Sequence, residues 1–160
     1  MKNNMPEVSK ILSKVFKGRT VIVGMGNVLK GDDAFGPRLV ERLKGDAKAV
    51  CIDAGSAPEN YTGKIIKERP ETIIIADAVH LGLKPGECDV LRKDDIVRSG
   101  FTTHDISPVM FIEYLENQTG ADIYMLAVQP ETVGFGEEMS DSVKKALEEI
   151  SVLIKEAQDA

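Results

Sequence analysis

Only two cysteines occur among the 160 residues, and their spacing suggests neither a zinc knuckle nor a disulfide framework. Cys51 and Cys88 each fall inside a strand-like run, so both read as buried thiols of a chain kept in a reducing cytoplasm. No long apolar span is present. The N-terminal "MKNNMPEVSKILSKVFKGR" lacks the continuous apolar core of a signal peptide, and neither export nor membrane insertion is expected. Basic charge is also scarce. Against 26 Asp and Glu stand 20 Lys and Arg, a net charge of −6, which gives no drive for counterion release and argues against a nucleic-acid binder. The usual hydrolase signatures are missing: no GxSxG elbow, no HExxH, and no cysteine in a nucleophile context. Internal repeats, low-complexity tracts and interdomain linkers are absent too.

What is present describes a soluble globular chain, with 42% hydrophobic and 29% charged residues. The length suits one domain with a real core. We read 1–160 as a single domain, an N-terminal amphipathic helix within 1–19 followed by an α/β core over 20–160. Val8, Ile11, Leu12, Val15 and Phe16 recur at helical spacing in the first segment. Strand-type runs then alternate with helical segments. "TVIVG", "AVCIDAG", "TIIIADA", "GECDVLR" and "DIYMLAVQP" read as strands, the third buried on both faces and the fourth an antiparallel edge. "AFGPRLVERLKG", "PENYTGKIIKERP", the segment after Ser107-Pro108 and "SDSVKKALEEISVLIKEA" read as helices, and "KDDIVRSGF" as a short helical turn or loop. The alternation predicts a three-layer α/β fold, a mostly parallel twisted sheet with helices on both faces.

The stretch "IVGMGNVLKGDDAFG" begins like a dinucleotide fingerprint, a buried strand followed by Gly24 and Gly26. Its third glycine would fall where Leu29 stands. Asp32 and Asp33 follow where the next helix begins, and two carboxylates oppose the field that draws phosphate to a helix N-terminus. A nucleotide-binding α/β protein is therefore disfavoured.

In open α/β sheets, ligands bind beyond the carboxyl ends of the strands. Asp32 and Asp33 follow the first strand there, Asp53 ends the second and Asp77 ends the third. His80 and His104 fall in loops on the same predicted edge. Carboxylates and imidazole from separate loops suit a borderline divalent metal such as nickel or zinc. Each residue also has a structural reading. Asp33 can cap the first helix of the core, Asp53 can bond its own turn, and His80 can be an exposed loop residue. His104 can join a capping network with its neighbours. For Asp77 the structural reading is weaker, because an unpaired buried carboxylate is expensive.

Taken together and in order, "GMGNVLKGDDAFGP", "DAGSAPEN", "IIIADAVHLGLKPGE", "TTHDISP" and "VQPETVGF" resemble the nickel–iron hydrogenase maturation endopeptidases, in the branch that serves formate-hydrogenlyase-type hydrogenases. The resemblance covers about residues 20 to 153. It implies a cytoplasmic endopeptidase that removes a short C-terminal extension from the hydrogenase large-subunit precursor after nickel insertion. The nickel is the recognition element and is carried by the substrate, so no tightly bound cofactor is expected in the isolated protein. The same resemblance implies Asp33, Asp77 and His104 as metal-contacting residues; we read Asp33 and Asp77 as the catalytic acids, either one serving as general base if nickel only positions the substrate. His80 lies outside this three-residue pattern and is a further candidate ligand. A non-enzymatic nickel-binding maturation chaperone built on the same ligands is the alternative.

Overall fold

The structure is a computed structural model that describes residues 5–99 and 107–159. Its centre is a five-stranded sheet of order β2-β1-β3-β5-β4, comprising β1 (Thr20–Met25), β2 (Val50–Gly55), β3 (Thr72–Ala78), β4 (Cys88–Leu91) and β5 (Asp122–Val128). The first, second, third and fifth strands run parallel, and β4 pairs antiparallel with β5 at the edge. The mostly parallel sheet and its antiparallel edge agree with the sequence reading. So does the all-buried β3, whose continuous apolar run has helices on both sides.

Side chains alternate across the sheet and sort the helices into two layers. Ile22, Ile74, Leu126 and Val128 face α1 (Met5–Val15), α2 (Phe35–Leu43) and α6 (Asp141–Asp159). Val21, Val23, Ile73, Ile75 and Met125 face α3 (Thr62–Lys67), α4 (Lys93–Ser99) and α5 (Pro108–Thr119). Val143, Leu147, Ile150 and Ile154 are buried on one face of α6, as their spacing predicts. Helix α1 buries Val8, Leu12 and Val15 against α6 and β4, while Ile11 is left exposed.

Local chemistry sets the boundaries. Ser107 caps α5, its Oγ accepting the Met110 N–H, with Pro108 as the first helical residue and Gly120 ending the helix at φ 69°. The segment "PENYTGKIIKERP" divides into a 3₁₀ turn, Pro58–Tyr61, and the short α3. "KDDIVRS" forms a true helix, α4, beginning with Asp94 and Asp95 in its first turn and ending with Arg98 in its last. Those charges complement the helix dipole, which the low apolar content of the segment concealed. Cys88 is buried, Cys51 is only partly so, and neither forms a disulfide.

Candidate active site

The carboxyl ends of β1, β2, β3 and β5 lie on one edge, and the polar residues collect there. Strand β1 leaves the sheet through Gly26, whose φ is 142°. A Cβ at this position would collide with the Asp33 carbonyl oxygen, so only glycine lets the chain close back on itself. Gly24 and Gly36 approach one another similarly, and this seats the start of α2 directly on the sheet.

Residues 27–30 then turn into a 3₁₀ turn, Gly31–Ala34, that leads into α2. Asn27 organises it. Its carbonyl accepts the Lys30 N–H at 3.1 Å, and its side-chain Oδ1 accepts the Leu29 N–H at 2.9 Å. In return, the Asn27 N–H donates to Asp33 Oδ2 at 2.8 Å. Among the described residues, Asp33 Oδ1 accepts no hydrogen bond. The half-buried carboxylate is thus anchored by one oxygen and presents the other. The helix-cap reading of Asp33 fails, since the N-terminus of α2 at Ala34 has no side-chain cap bond.

A phosphate cradle needs backbone N–H groups free to face an anion. Here those of Gly26, Asn27, Leu29, Lys30, Gly31, Asp32 and Asp33 all donate to acceptors of the protein itself. The loop is closed to phosphate and built to hold carboxylates.

The two adjacent acids do different things. Asp32 is fully buried and faces the loop after β5. Its Oδ2 accepts the N–H groups of Glu131 at 2.8 Å and Thr132 at 3.0 Å, and its Oδ1 accepts the Ser140 N–H at 2.7 Å. Ser140 Oγ lies 3.0 and 2.8 Å from the two oxygens. Backbone bonds from Asp32 N–H to the Thr132 carbonyl and from Gly31 N–H to that of Glu137 complete the seam. The residue pattern does not reveal this clamp, because the partners of Asp32 lie 99 to 108 residues away and share no local motif with it.

Asp77 sits inside β3, opposite Ala127 of β5, and is fully buried. It is therefore a strand residue and not a loop-edge one, on the sheet face that carries α3, α4 and α5. The 3₁₀ turn bearing Asp33 packs against β3, so both acids belong to the same edge of the sheet. His104 lies outside the described residues. Among the described residues no group of three or more His, Cys, Asp or Glu is disposed to hold a metal ion. His80 is exposed two residues beyond β3, in a loop fastened by Gln129, whose Oε1 accepts the Leu81 N–H at 2.6 Å. Asp53 bonds its own turn through the Gly55 N–H at 3.0 Å, the structural reading of that residue.

Neither thiol is poised for attack. Burial, reinforced by Glu149, Asp89 and Glu87, pushes Cys88 from the ordinary 9.0 up to about 12. Burial raises Cys51 as well, opposed by Lys44. Among the described residues no helix is long and apolar enough to cross a membrane.

Comparison with known proteins gives a consistent result. The sequence profile of the family described as hydrogenase maturation protease, HycI, matches residues 37–157. The chain is 38% identical over 133 residues to the hydrogenase 3 maturation protease of Escherichia coli K12, covering 81% of this chain and 85% of that one. It is 30% identical over 151 residues to a putative hydrogenase maturation protease of Methanocaldococcus jannaschii, covering 86% and 89% of the two chains. The crystal structure of a nickel–iron hydrogenase maturation protease, HycI, from Thermococcus kodakarensis superposes with a TM-score of 0.87 at 35% identity, over 94% of this chain and 99% of that one.

Proposed function

Since the chain belongs to the hydrogenase maturation protease family, we propose that it removes the C-terminal extension of the nickel–iron hydrogenase large-subunit precursor once nickel has been inserted. Proteolysis in hydrogenase maturation is the family's work; to it we add the bond, the metal and the residues. The supporting observation is the placement of Asp33 and Asp77 on one edge of the sheet, with one Asp33 oxygen anchored and the other unengaged among the described residues. Two carboxylates and an imidazole, which this proposal takes from Asp33, Asp77 and His104, are an oxygen-and-nitrogen donor set that suits nickel. The metal belongs to the substrate, and an incomplete protein ligand set leaves positions for the substrate's own ligands.

Peptide hydrolysis needs an activated water and stabilisation of the oxyanion that develops on the scissile carbonyl. Nickel supplies Lewis acidity when the loaded precursor is bound. Asp33, reachable from solvent and fixed by the Asn27 N–H, is placed to take a proton from water as general base. Asp77, buried at the same sheet edge, is the second acid of the proposed site and helps to position the metal-bearing substrate.

The test is incubation with nickel-loaded precursor, read by mass spectrometry. One cut near the precursor's C-terminus is expected, with no cut in the nickel-free precursor. Equal cleavage by the parent, Asp33→Asn and Asp77→Asn proteins would overturn the assignment.

A further inference from the structure

Beside Asp33 the surface carries large apolar side chains that the fold does not use. Val28 and Leu29 stand exposed in the loop after β1, and Val133 and Phe135 in the loop after β5, with Leu29 at 56% and Phe135 at 75% exposure. Scattered exposed apolar residues are ordinary. These four, however, are carried by two loops joined into one unit. The Gly136 N–H donates to the Leu29 carbonyl at 2.7 Å, and the Asp32 clamp closes the seam a few residues away. A platform held by buried hydrogen bonds loses little freedom when something settles on it.

Charge identifies the occupant. Glu131, Glu137 and Glu138 stand exposed along the same loop as Val133 and Phe135, and Lys30 is the single cation of the 27–33 loop. A second copy of this chain would set one acidic rim against another, which is unfavourable. An apolar polypeptide segment flanked by Lys or Arg satisfies both features, with Phe135 as the aromatic anchor. We propose that Val28, Leu29, Val133 and Phe135 form the docking surface for such a segment of the protein substrate, next to the acids that cut it. This inference rests on the function proposed above.

The experiment compares the parent protein with Leu29→Ser, Phe135→Ser and Phe135→Leu, using nickel-loaded large-subunit precursor in calorimetric binding and steady-state cleavage. Val152→Ser, an exposed apolar change on α6, is the control. We expect Leu29→Ser and Phe135→Ser each to raise Kd and KM about tenfold, a typical loss for an aromatic or apolar anchor. Phe135→Leu should recover much of this, and Val152→Ser should match the parent. Circular dichroism should be unchanged in every variant. Parent-like Kd and KM in both serine variants overturn the docking surface while leaving the peptidase assignment standing. A parent that binds precursor without cutting it removes the peptidase assignment, and the Kd ratios still judge the surface. A parent dimer in light scattering that Phe135→Ser dissolves assigns the surface to self-association and overturns the proposal.

Discussion

Ser140 Oγ lies within hydrogen-bond distance of both carboxylate oxygens of Asp32, from a position 108 residues away in sequence. Asp32 is fully buried, so its charge is tolerated only because the N–H groups of Glu131, Thr132 and Ser140 also point at it. One carboxylate thereby fixes the loop that presents its neighbour, Asp33.

Asp32→Ala should therefore be among the most damaging single substitutions. It leaves several donors without an acceptor, each worth about 1–3 kcal/mol when buried. We expect a loss of about 3 kcal/mol or more, a fall in Tm of roughly 6–12 °C for a domain of this size. Ser140→Ala keeps the backbone bond and should cost about 1 kcal/mol. The double variant should lose less than the sum, because the two residues share one network. Urea unfolding of the four proteins measures the coupling.

Gly26→Ala tests the closure of the loop itself. The φ of 142° strains an alanine by about 1–3 kcal/mol, and the new methyl meets the Asp33 carbonyl. Stability should fall, and kcat should fall further than the folded fraction accounts for, because Asp33 is displaced. Comparing kcat with the native fraction from circular dichroism separates the two effects.

Among the site residues, Asp33→Asn and Asp77→Asn should fold and lose cleavage of nickel-loaded precursor. Asparagine preserves the shape and removes the charge needed for base catalysis or cation attraction. His104→Ala should weaken engagement with the precursor and raise KM. His80→Ala should retain most activity, as its side chain is exposed at the edge of the loop. Activity of the parent after dialysis against chelator should persist on nickel-loaded precursor; loss restored by added nickel would make the metal the enzyme's own.

The cysteines give a pH-dependent prediction. A thiol whose value rises from 9.0 to about 12 on folding contributes stability that is complete below pH 9. That contribution declines as pH climbs toward 12, since the unfolded chain ionises first. Cys88→Val should flatten this alkaline decline in urea titrations. At pH 8, a thiol reagent should modify Cys51 slowly in the native protein and Cys88 only after unfolding.

Much of the architecture was legible from the residues. Five apolar runs marked five strands, and the short run at Cys88, close behind a Pro-Gly turn, suggested the antiparallel edge. Helix α4 was less clear, because its two apolar residues are adjacent, Ile96 buried and Val97 exposed, and make no helical stripe. At the site, residue type and strand position offered Asp32, Asp33, Asp53 and Asp77 alike, and the family resemblance alone pointed to Asp33 and Asp77. Type and position did not separate Asp33 from Asp32, since neighbours in a 3₁₀ turn face different surroundings and the partners of Asp32 come from a distant loop. The burial of Asp77, by contrast, was legible, since the acid lies within "TIIIADA", a run that reads as a strand buried on both faces.

The seam between the two loops also sets a schedule. Asp32 leaves the ribosome 99 to 108 residues before Glu131, Thr132 and Ser140, which hold its loop closed. A nascent chain that has reached only Pro130 already contains both candidate acids, yet its buried carboxylate has nothing to grip. The loop that presents Asp33 is thus fastened only once the segment after β5 has been made.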